Sequence, residues 1–213
     1  MHKTKADARL STHLHYHWWK YVLLTVLSVM VWTGVFDTLA KPAKNEKVGI
    51  VFFGDALDVS ALHADLSAAV ADLTQQEIAY VDVSQTLADY AHLGQILMAR
   101  TYDYDLLILS AESVDMLSAY GFFMPLPDTL KGIPTYCQET DGKDVAYGLE
   151  IYRPGSQNRF SAFCSSEKTY YVFLSKESVN LAALNGNGRQ ADDAALRILT
   201  YLLEEPYVST PEN

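Results

Sequence analysis

An uncharged run close to the amino terminus constrains this chain more than any other feature. Residues 21–36, YVLLTVLSVMVWTGVF, carry no charged side chain, and Asp37 follows them. These sixteen residues would extend about 24 Å as an α-helix, slightly less than the roughly 30 Å hydrocarbon core of a bilayer. A run that is apolar on every side needs an apolar environment on every side. The sequence therefore predicts a single transmembrane helix over residues 21–37.

The stretch before this run, HLHYHWWK at residues 13–20, supplies the missing length. Trp18 and Trp19 favour the membrane interface, and Lys20 can extend its ammonium group to the headgroups while its stem stays apolar. The histidines stand at every second position, and in a helix that spacing turns successive side chains by about 200°, which scatters metal ligands. We therefore interpret residues 1–20 as a cytoplasmic tail with an aromatic and basic boundary, and we expect no metal site.

Two other interpretations of the run stay open at this point. A cleaved signal peptide would need small residues at the cut, which the TLA sequence at residues 38–40 offers in a poor form. A helix buried in a protein core would normally show an amphipathic stripe, which the run lacks. The membrane anchor is the leading interpretation because aromatic and basic residues adjoin the run directly.

Basic residues are spread almost evenly around the run. Those before it are Lys3, Lys5, Arg9 and Lys20, and those after it are Lys41, Lys44 and Lys47. By the positive-inside rule this small excess, together with the short amino-terminal tail, favours a cytoplasmic amino terminus. We therefore expect a single-pass protein of the cell membrane whose carboxyl-terminal domain is extracytoplasmic.

The rest of the chain is acidic. Residues 48–213 contain 23 Asp and Glu against nine Lys and Arg. Such a body cannot gain the counterion release that drives binding to phosphate backbones, so we expect no nucleic-acid partner. Neither a G-x-S-x-G elbow nor an H-E-x-x-H pair occurs, and we expect no enzyme and no cofactor.

After a linker over residues 38–47, short apolar runs alternate with amphipathic helical patterns. The predicted strands are 48–55, 78–84 and 104–110, and the helical patterns that follow them are 62–73, 87–97 and 114–121. This alternation is typical of right-handed crossovers and of a parallel sheet that is covered on both faces.

The second half is less regular. An Asp-Gly turn predicts a hairpin between strands 135–140 and 144–152. A further strand, 169–175, precedes a final helix over 191–202. These elements predict an N-terminal transmembrane helix followed by one three-layer α/β domain with a mainly parallel, mixed sheet over residues 48–206, and a loose tail over 207–213.

Three segments carry a family resemblance by their order. They are YDLLILSAESVDMLSAYGFFMPLPD at 104–128, DGKDVAYGLEIY at 141–152 and YVFLSKESVNLAALNGNGRQADDAALRILTYLL at 171–203. In this order they resemble the type 2 extracellular (periplasmic) solute-binding proteins, over most of residues 47–205. The chain also resembles short, membrane-anchored bacterial relatives with an aromatic and basic stretch before the helix. The resemblance implies the fold of one lobe.

The chain departs from that family in one respect. Where the family has a second lobe between the hairpin and the return strand, only residues 153–168 stand here. Hinge closure around a solute, which is the family's usual means of capture, is therefore excluded. The resemblance implies a fold more directly than a transport role.

Ligands of α/β proteins gather beyond the carboxyl ends of parallel strands. The residues that we expect to bind a small molecule there are Asp55, Ser84, Ser110, Glu112 and Tyr147. Their hydroxyl and carboxylate groups would hydrogen-bond a ligand whose identity the sequence leaves unknown. The alternative is that these groups cap the helices that follow the strands.

Cys137 and Cys164 are the two cysteines of the chain. Outside the cell they would form a disulfide that ties the hairpin to residues 153–168. A loop of about 26 residues closed in this way would gain roughly 3 kcal/mol in the chain-entropy model. Two separate buried thiols are the alternative.

The sequence thus predicts a membrane-anchored, non-catalytic binding or interaction module. We expect it to dock on another membrane or envelope protein, and residues 120–124 with Tyr147 and Tyr152 are the first candidates for an exposed apolar patch. The alternative for these aromatic residues is that they belong to the core. The alternative is a binder of a sugar, amino acid or peptide that feeds a transporter, with a second copy supplying the missing cleft wall.

Overall fold

The computed structural model describes residues 5–40, 44–75, 78–86, 104–118, 121–127, 130, 133–140, 142–181, 184 and 193–205. The chain divides into two compact units, Met1–Pro42 and Ala43–Asn213. The first unit contains the apolar run, and the second contains a β-sheet with its helices.

The first unit contains one long α-helix, α1, Lys5–Ala40, of 36 residues. Its most apolar part, His17–Phe36, has 20 residues and a mean hydropathy of 1.5, and the protein buries none of it. A helix of that length extends about 30 Å, which matches the hydrocarbon thickness of a bilayer. The helix is therefore long and apolar enough to cross a membrane, and this apolar part begins at His17 instead of at residue 21.

Two threonines within this part bond the helix itself. The Thr25 hydroxyl donates to the Tyr21 carbonyl at 2.9 Å, and the Thr33 hydroxyl donates to the Val29 carbonyl at 2.7 Å. A hydroxyl that bonds its own helix needs no water, which lowers the cost of placing it in an apolar medium. At the boundary, the Lys20 ammonium lies 5.7 Å from the centroid of the Trp19 ring.

The second unit is built around one six-stranded sheet. The strands are β1 (Lys47–Phe53), β2 (Tyr80–Thr86), β3 (Leu106–Ser110), β4 (Thr135–Thr140), β5 (Lys143–Tyr152) and β6 (Tyr170–Leu174), in the order β2-β1-β3-β6-β5-β4. All six coincide within a few residues with strands predicted from the sequence. Short apolar runs bounded by Gly, Asp and Ser are reliable signals because they match the length and the turn chemistry of buried strands.

The sheet is mixed. β1 pairs in parallel with β2 and β3, whereas the pairs β3 with β6, β6 with β5, and β5 with β4 are antiparallel. The expectation of a mainly parallel sheet is therefore wrong for its second half. The reason is the hairpin of β4 and β5, which turns at Gly142 with φ at +73° and is antiparallel by construction, while β6 inserts between this hairpin and β3.

Three helices of this unit are described: α2 (Val59–Leu73), α3 (Ala111–Ser118) and α4 (Ala194–Leu203). Each agrees in place with a predicted helix, although α3 begins directly after β3. The Asp58 carboxylate caps α2 by accepting a hydrogen bond from the Ala61 backbone at 3.0 Å. The helix predicted over residues 87–97 and the tail over 207–213 lie outside the described residues.

The two faces of the sheet are buried against different partners. The face that contacts α2 and α4, called here the helix-covered face, carries Val48, Ile50, Phe52, Leu106, Ile108, Val172 and Leu174. The opposite face, called here the aromatic face, carries Val51, Phe53, Leu107, Leu109 and Phe173. Because side chains alternate along a strand, β1 and β3 carry apolar side chains on both faces, and residues 48–53 and 106–110 are buried. The polar residues of these two strands, Lys47 and Ser110, stand at strand ends.

The aromatic residues expected to form an exposed patch belong largely to the core. Phe123, Met124 and Tyr152 are each 7% exposed, and Tyr147 packs partly buried against the aromatic face. The chain after α3 returns to the sheet, where the Met124 backbone donates to the Leu174 carbonyl at 3.1 Å. The expectation of an exposed apolar patch is therefore wrong for these residues.

Gly148 of β5 lies where no side chain fits. A Cβ there would stand 2.6 Å from two ring carbons of Phe173 and 3.2 Å from Cβ of Tyr136. Phe173 is fully buried and its ring centroid lies 4.5 Å from that of Phe123. The ring therefore cannot move without disturbing its neighbour, and the sheet requires glycine at this position.

We predict that Gly148→Ala lowers the free energy of unfolding by about 1–3 kcal/mol through overpacking. Near-ultraviolet circular dichroism of the detergent-solubilised chain during urea unfolding would report on this unit through its tyrosines, since all three tryptophans belong to α1. Gly142→Asn is the matched control, because asparagine tolerates positive φ. Phe173→Leu should lower the free energy of unfolding less in the Gly148→Ala variant than in the wild type, because it removes the ring that the added Cβ meets. Strictly additive losses in the double variant would contradict a clash between that Cβ and the Phe173 ring.

Candidate functional site

Several chain segments meet where β1 and β3 end and β6 begins. We define the carboxyl rim by Asp55, Ser110, Glu112, Lys168 and Tyr170. Ser110, the last residue of β3, pairs with Tyr170, the first residue of β6. The Lys168 ammonium donates to the Glu112 carboxylate at 2.9 Å, and both side chains are more than half exposed. Three of the predicted ligand-binding residues, Asp55, Ser110 and Glu112, therefore belong to one rim.

The serine hydroxyls of the rim bond each other. Ser110 Oγ and Ser113 Oγ lie 2.9 Å apart, and the two residues are 5% and 1% exposed. Ser110 directly precedes α3, where polar side chains commonly satisfy the first turn of a helix. The contact ties the end of β3 to Ser113 in the first turn of α3.

Tyr170 is the buried part of the rim. Burial raises the pKa of its phenol, the hydrogen bond with Ser166 lowers it, and the nearby Cys164 and Asp55 raise it further. Tyr170 therefore stays a neutral hydroxyl at physiological pH. A Cβ on Gly54 would lie 2.8 Å from this hydroxyl, so the end of β1 must be glycine for the ring to fit.

Residues 153–168 pack back onto the sheet. The Tyr152 hydroxyl donates to the Ser166 carbonyl at 2.9 Å and accepts from the Ser166 backbone at 3.0 Å. The Asp58 backbone donates to the Phe163 carbonyl at 2.8 Å. Phe160 is fully buried, with its ring centroid 6.3 Å from that of Phe52. The segment thus closes the edge of the helix-covered core.

Arg159 fastens the same segment to two helices. Its guanidinium bonds Asp65 of α2 at 3.1 Å and stacks 4.0 Å from the ring centroid of Tyr201 in α4. Burial, followed by the charge of Asp65, raises the pKa of the Tyr201 phenol. Both partners of the ion pair are about one quarter exposed, so the contact is partly screened and mainly orients the segment.

Two predicted ligand-binding residues lie away from the rim. Ser84 stands on β2 opposite Val51, and its hydroxyl is 3.5 Å from the Ile50 carbonyl. Tyr147 lies in the middle of β5 and packs on the aromatic face. The sequence shows that Ser84 and Tyr147 are polar or aromatic, but it does not show where along its strand each one lies. Only the strand register separates these two residues from those of the rim.

The rim can act through hydrogen bonds and surface charge. Its exposed groups are two carboxylates and one ammonium, of which Glu112 and Lys168 bond each other. Among the described residues, no group of three or more His, Cys, Asp or Glu could hold a metal ion. The arrangement suits contact with a charged surface better than enclosure of a ligand.

The cysteines do not form the expected disulfide, and both thiols are free. Cys137 is exposed on the edge strand β4, whereas Cys164 is 5% exposed and forms a backbone bridge with Leu57. Burial raises the pKa of the Cys164 thiol to about 12. Sequence spacing could not decide this pairing because a disulfide requires Cα atoms within about 7 Å, which is a property of the fold.

A buried polar cluster that sequence reasoning missed lies at the opposite end of β3. The Asp105 carboxylate accepts hydrogen bonds from the Gly49 backbone at 2.8 Å, from the Ser178 hydroxyl at 2.5 Å and from the Asn180 amide at 3.0 Å. The Asn180 amide also donates to the Lys47 carbonyl at 2.7 Å. The cluster joins the start of β1, the start of β3 and the loop after β6.

Three donors favour the ionised carboxylate of Asp105, but burial outweighs them and raises its pKa above the ordinary value of 3.8. The residue is 5% exposed, so its charged form loses most of its hydration. In the sequence, the signal for this cluster was the carboxylate of Asp105 itself, which stands at the start of the apolar strand β3. Its side-chain partners Ser178 and Asn180 stand more than 70 residues away and Gly49 stands 56 residues away, so no local pattern reveals them.

No protein-family model, no curated protein and no solved structure matches this chain.

We predict that Asp105→Asn lowers the free energy of unfolding by about 1–3 kcal/mol, because an amide nitrogen would face donors in place of a carboxylate oxygen. A raised pKa means that the native state keeps a proton that the unfolded state releases. The stability of the wild type relative to Asp105→Asn should therefore fall as pH rises from about 4 through the raised pKa. Urea unfolding at several pH values measures this, and exposed Asp144→Asn is the control. A difference that grows with pH would contradict the raised pKa.

We predict that a maleimide labels Cys137 in the native chain and reaches Cys164 only after unfolding, because the second thiol is buried and protonated. Mass spectrometry of the labelled chain gives the site and the number of adducts. The Cys137→Ser variant should take no native label. A native chain that takes no label and is lighter by the hydrogens lost in a disulfide would restore the bridge.

Proposed function

We propose that this chain is a single-pass protein of the cell membrane whose α/β unit is a non-catalytic binding or interaction module on the extracytoplasmic side. The observation that carries the proposal is the helix His17–Phe36, which exposes its whole apolar surface. Exposed tryptophan, leucine and valine side chains on every side of a helix are unfavourable in water and favourable in lipid. We further propose that the unit is a three-layer domain resembling one lobe of a solute-binding protein.

The packing of residues 153–168 supports an interaction module over a solute trap. This segment buries Phe160 and fastens Arg159 between α2 and α4, so the unit closes on itself where the resembled family attaches a second lobe. A closed single lobe has no hinge with which to enclose a solute. A closed single lobe can bind a partner on its outer surface.

The carboxyl rim is the surface that we propose for docking. Asp55 and Glu112 are exposed there, and residues 48–213 carry 23 acidic against nine basic residues. Lys168 offsets one rim carboxylate through its ion pair with Glu112, so the rim keeps one net negative charge within an acidic unit. A unit of this charge attracts basic surfaces and accelerates their encounter. The partner that fits is a membrane or envelope protein with a basic patch facing the rim.

We predict that alkaline extraction leaves the full-length chain in the membrane fraction, and that a protease added to intact cells reaches the α/β unit but not the amino terminus. A photo-crosslinker placed at position 55 should then capture a partner. In a second experiment the crosslinker is placed at a neighbouring rim position, and the double variant Asp55→Lys with Glu112→Lys should reduce crosslinking at least about tenfold. Asp144→Lys is the matched control, since Asp144 is exposed near the start of β5 at the other end of the sheet. Equal loss with Asp144→Lys would contradict docking at the rim.

A further inference from the structure

The helix α1 is much longer than its apolar part. It begins at Lys5, whereas the apolar part begins at His17. The twelve intervening residues extend about 18 Å at the helical rise, whereas a headgroup region is only about 5–7 Å deep on each side of a bilayer. A helix that continues past the membrane must therefore present polar positions to the headgroups and to the water beyond them.

The two cations of this extension, Lys5 and Arg9, share one side of the helix with Lys20 of the apolar part. His13 and His17 fall on the same side, whereas His15 falls outside it. Lys5, Arg9, His13 and His17 follow one another at intervals of four residues, and Lys20 stands three residues after His17. With 3.6 residues per turn, a step of four turns a position by about 40°, so these five positions span roughly 120° of the helix circumference. We call them the basic stripe. The acidic position of the extension, Asp7, falls outside this arc.

The stripe is continuous with the membrane boundary. Lys20 and His17 belong to the apolar part itself, and Trp18 and Trp19, which are 60% and 52% exposed, stand between them. Transmembrane helices tilt by about 20° on average, and a tilt lowers one side of the extension toward the headgroups. Anionic lipids attract lysine and arginine within about one Debye length of the membrane surface. The tilt is therefore most favourable when the positively charged side of the extension faces the headgroups.

We propose that the basic stripe of α1 binds the anionic phospholipid headgroups of the bilayer that the helix spans, so that the chain is held by lipid charge as well as by apolar burial. The inference rests on the anchor of the proposed function and adds a lipid class to it. The occupant is the anionic headgroup surface, since the stripe runs lengthwise along the helix up to the membrane boundary, where the headgroups lie.

The test is amide hydrogen exchange, followed by mass spectrometry, of the full-length chain in lipid nanodiscs. One nanodisc contains phosphatidylcholine alone, and the other contains phosphatidylcholine mixed with phosphatidylglycerol. Exchange of residues 5–16 should slow by roughly threefold or more in the anionic nanodisc, and high salt should abolish the difference. Equal exchange in both nanodiscs would overturn the proposal, as would equal slowing by inorganic phosphate in the neutral nanodisc.

A pair of variants separates the stripe from net charge. Arg9→Gln should remove most of the lipid-dependent slowing. Arg9→Gln combined with Ser11→Arg restores the net charge but places it about 200° from position 9, and the slowing should stay lost. Recovery in the double variant would show that total charge suffices and would overturn the stripe.

Alkaline extraction of the same preparations keeps the two proposals distinguishable. A chain that resists extraction but exchanges equally in both nanodiscs retains its anchor and has no lipid-binding stripe. A chain that alkali releases has no anchor, and both proposals would then be wrong.

Discussion

Burial of β1 and β3 on both faces is the constraint on which the α/β unit depends. Residues 48–53 and every residue of Leu106–Ser110 are buried. Polar groups therefore have no place along these strands and are confined to their ends. At the amino end of β3 the Asp105 cluster joins three segments, and at the carboxyl end the rim gathers hydroxyls and charges.

The two ends serve different purposes because their exposure differs. The Asp105 carboxylate is enclosed by its three donors, so it specifies how β1, β3 and the loop after β6 come together. The exposed Glu112 and Lys168 of the rim make an ion pair in water that contributes little to folding. Groups that fold the unit and groups that remain available to a partner thus lie at opposite edges of the same strands.

Residues 153–168 close one edge of the α/β unit. Tyr152 and Ser166 exchange two hydrogen bonds at the base of the segment, and Phe160 fills the core above the end of β1. Arg159 then spans the gap between α2 and α4. Closure of this kind shields an edge that would otherwise expose apolar side chains.

Local patterns were sufficient for the strands and for the apolar part of the long helix, but not for its extension back to Lys5. The strand runs, the Asp-Gly turn and the uncharged residues 21–36 each report on the nearest few residues, and so each could be read directly. The position of β6 between β3 and the hairpin could not be predicted from such patterns, since strand order depends on contacts between distant segments. The same reason accounts for the missed Asp105 cluster and for the disulfide that does not form.

The sequence by itself determined that this chain has a helix able to span a membrane, followed by an acidic α/β body, because charge, hydropathy and short-range periodicity are properties of neighbouring residues. Only the tertiary structure decided that Phe123, Met124 and Tyr152 are core, that Ser84 and Tyr147 leave the rim, and that Lys168 joins Glu112 there. Those outcomes depend on register and on chain reversal, which place residues far apart in sequence on one face or on opposite faces of a sheet.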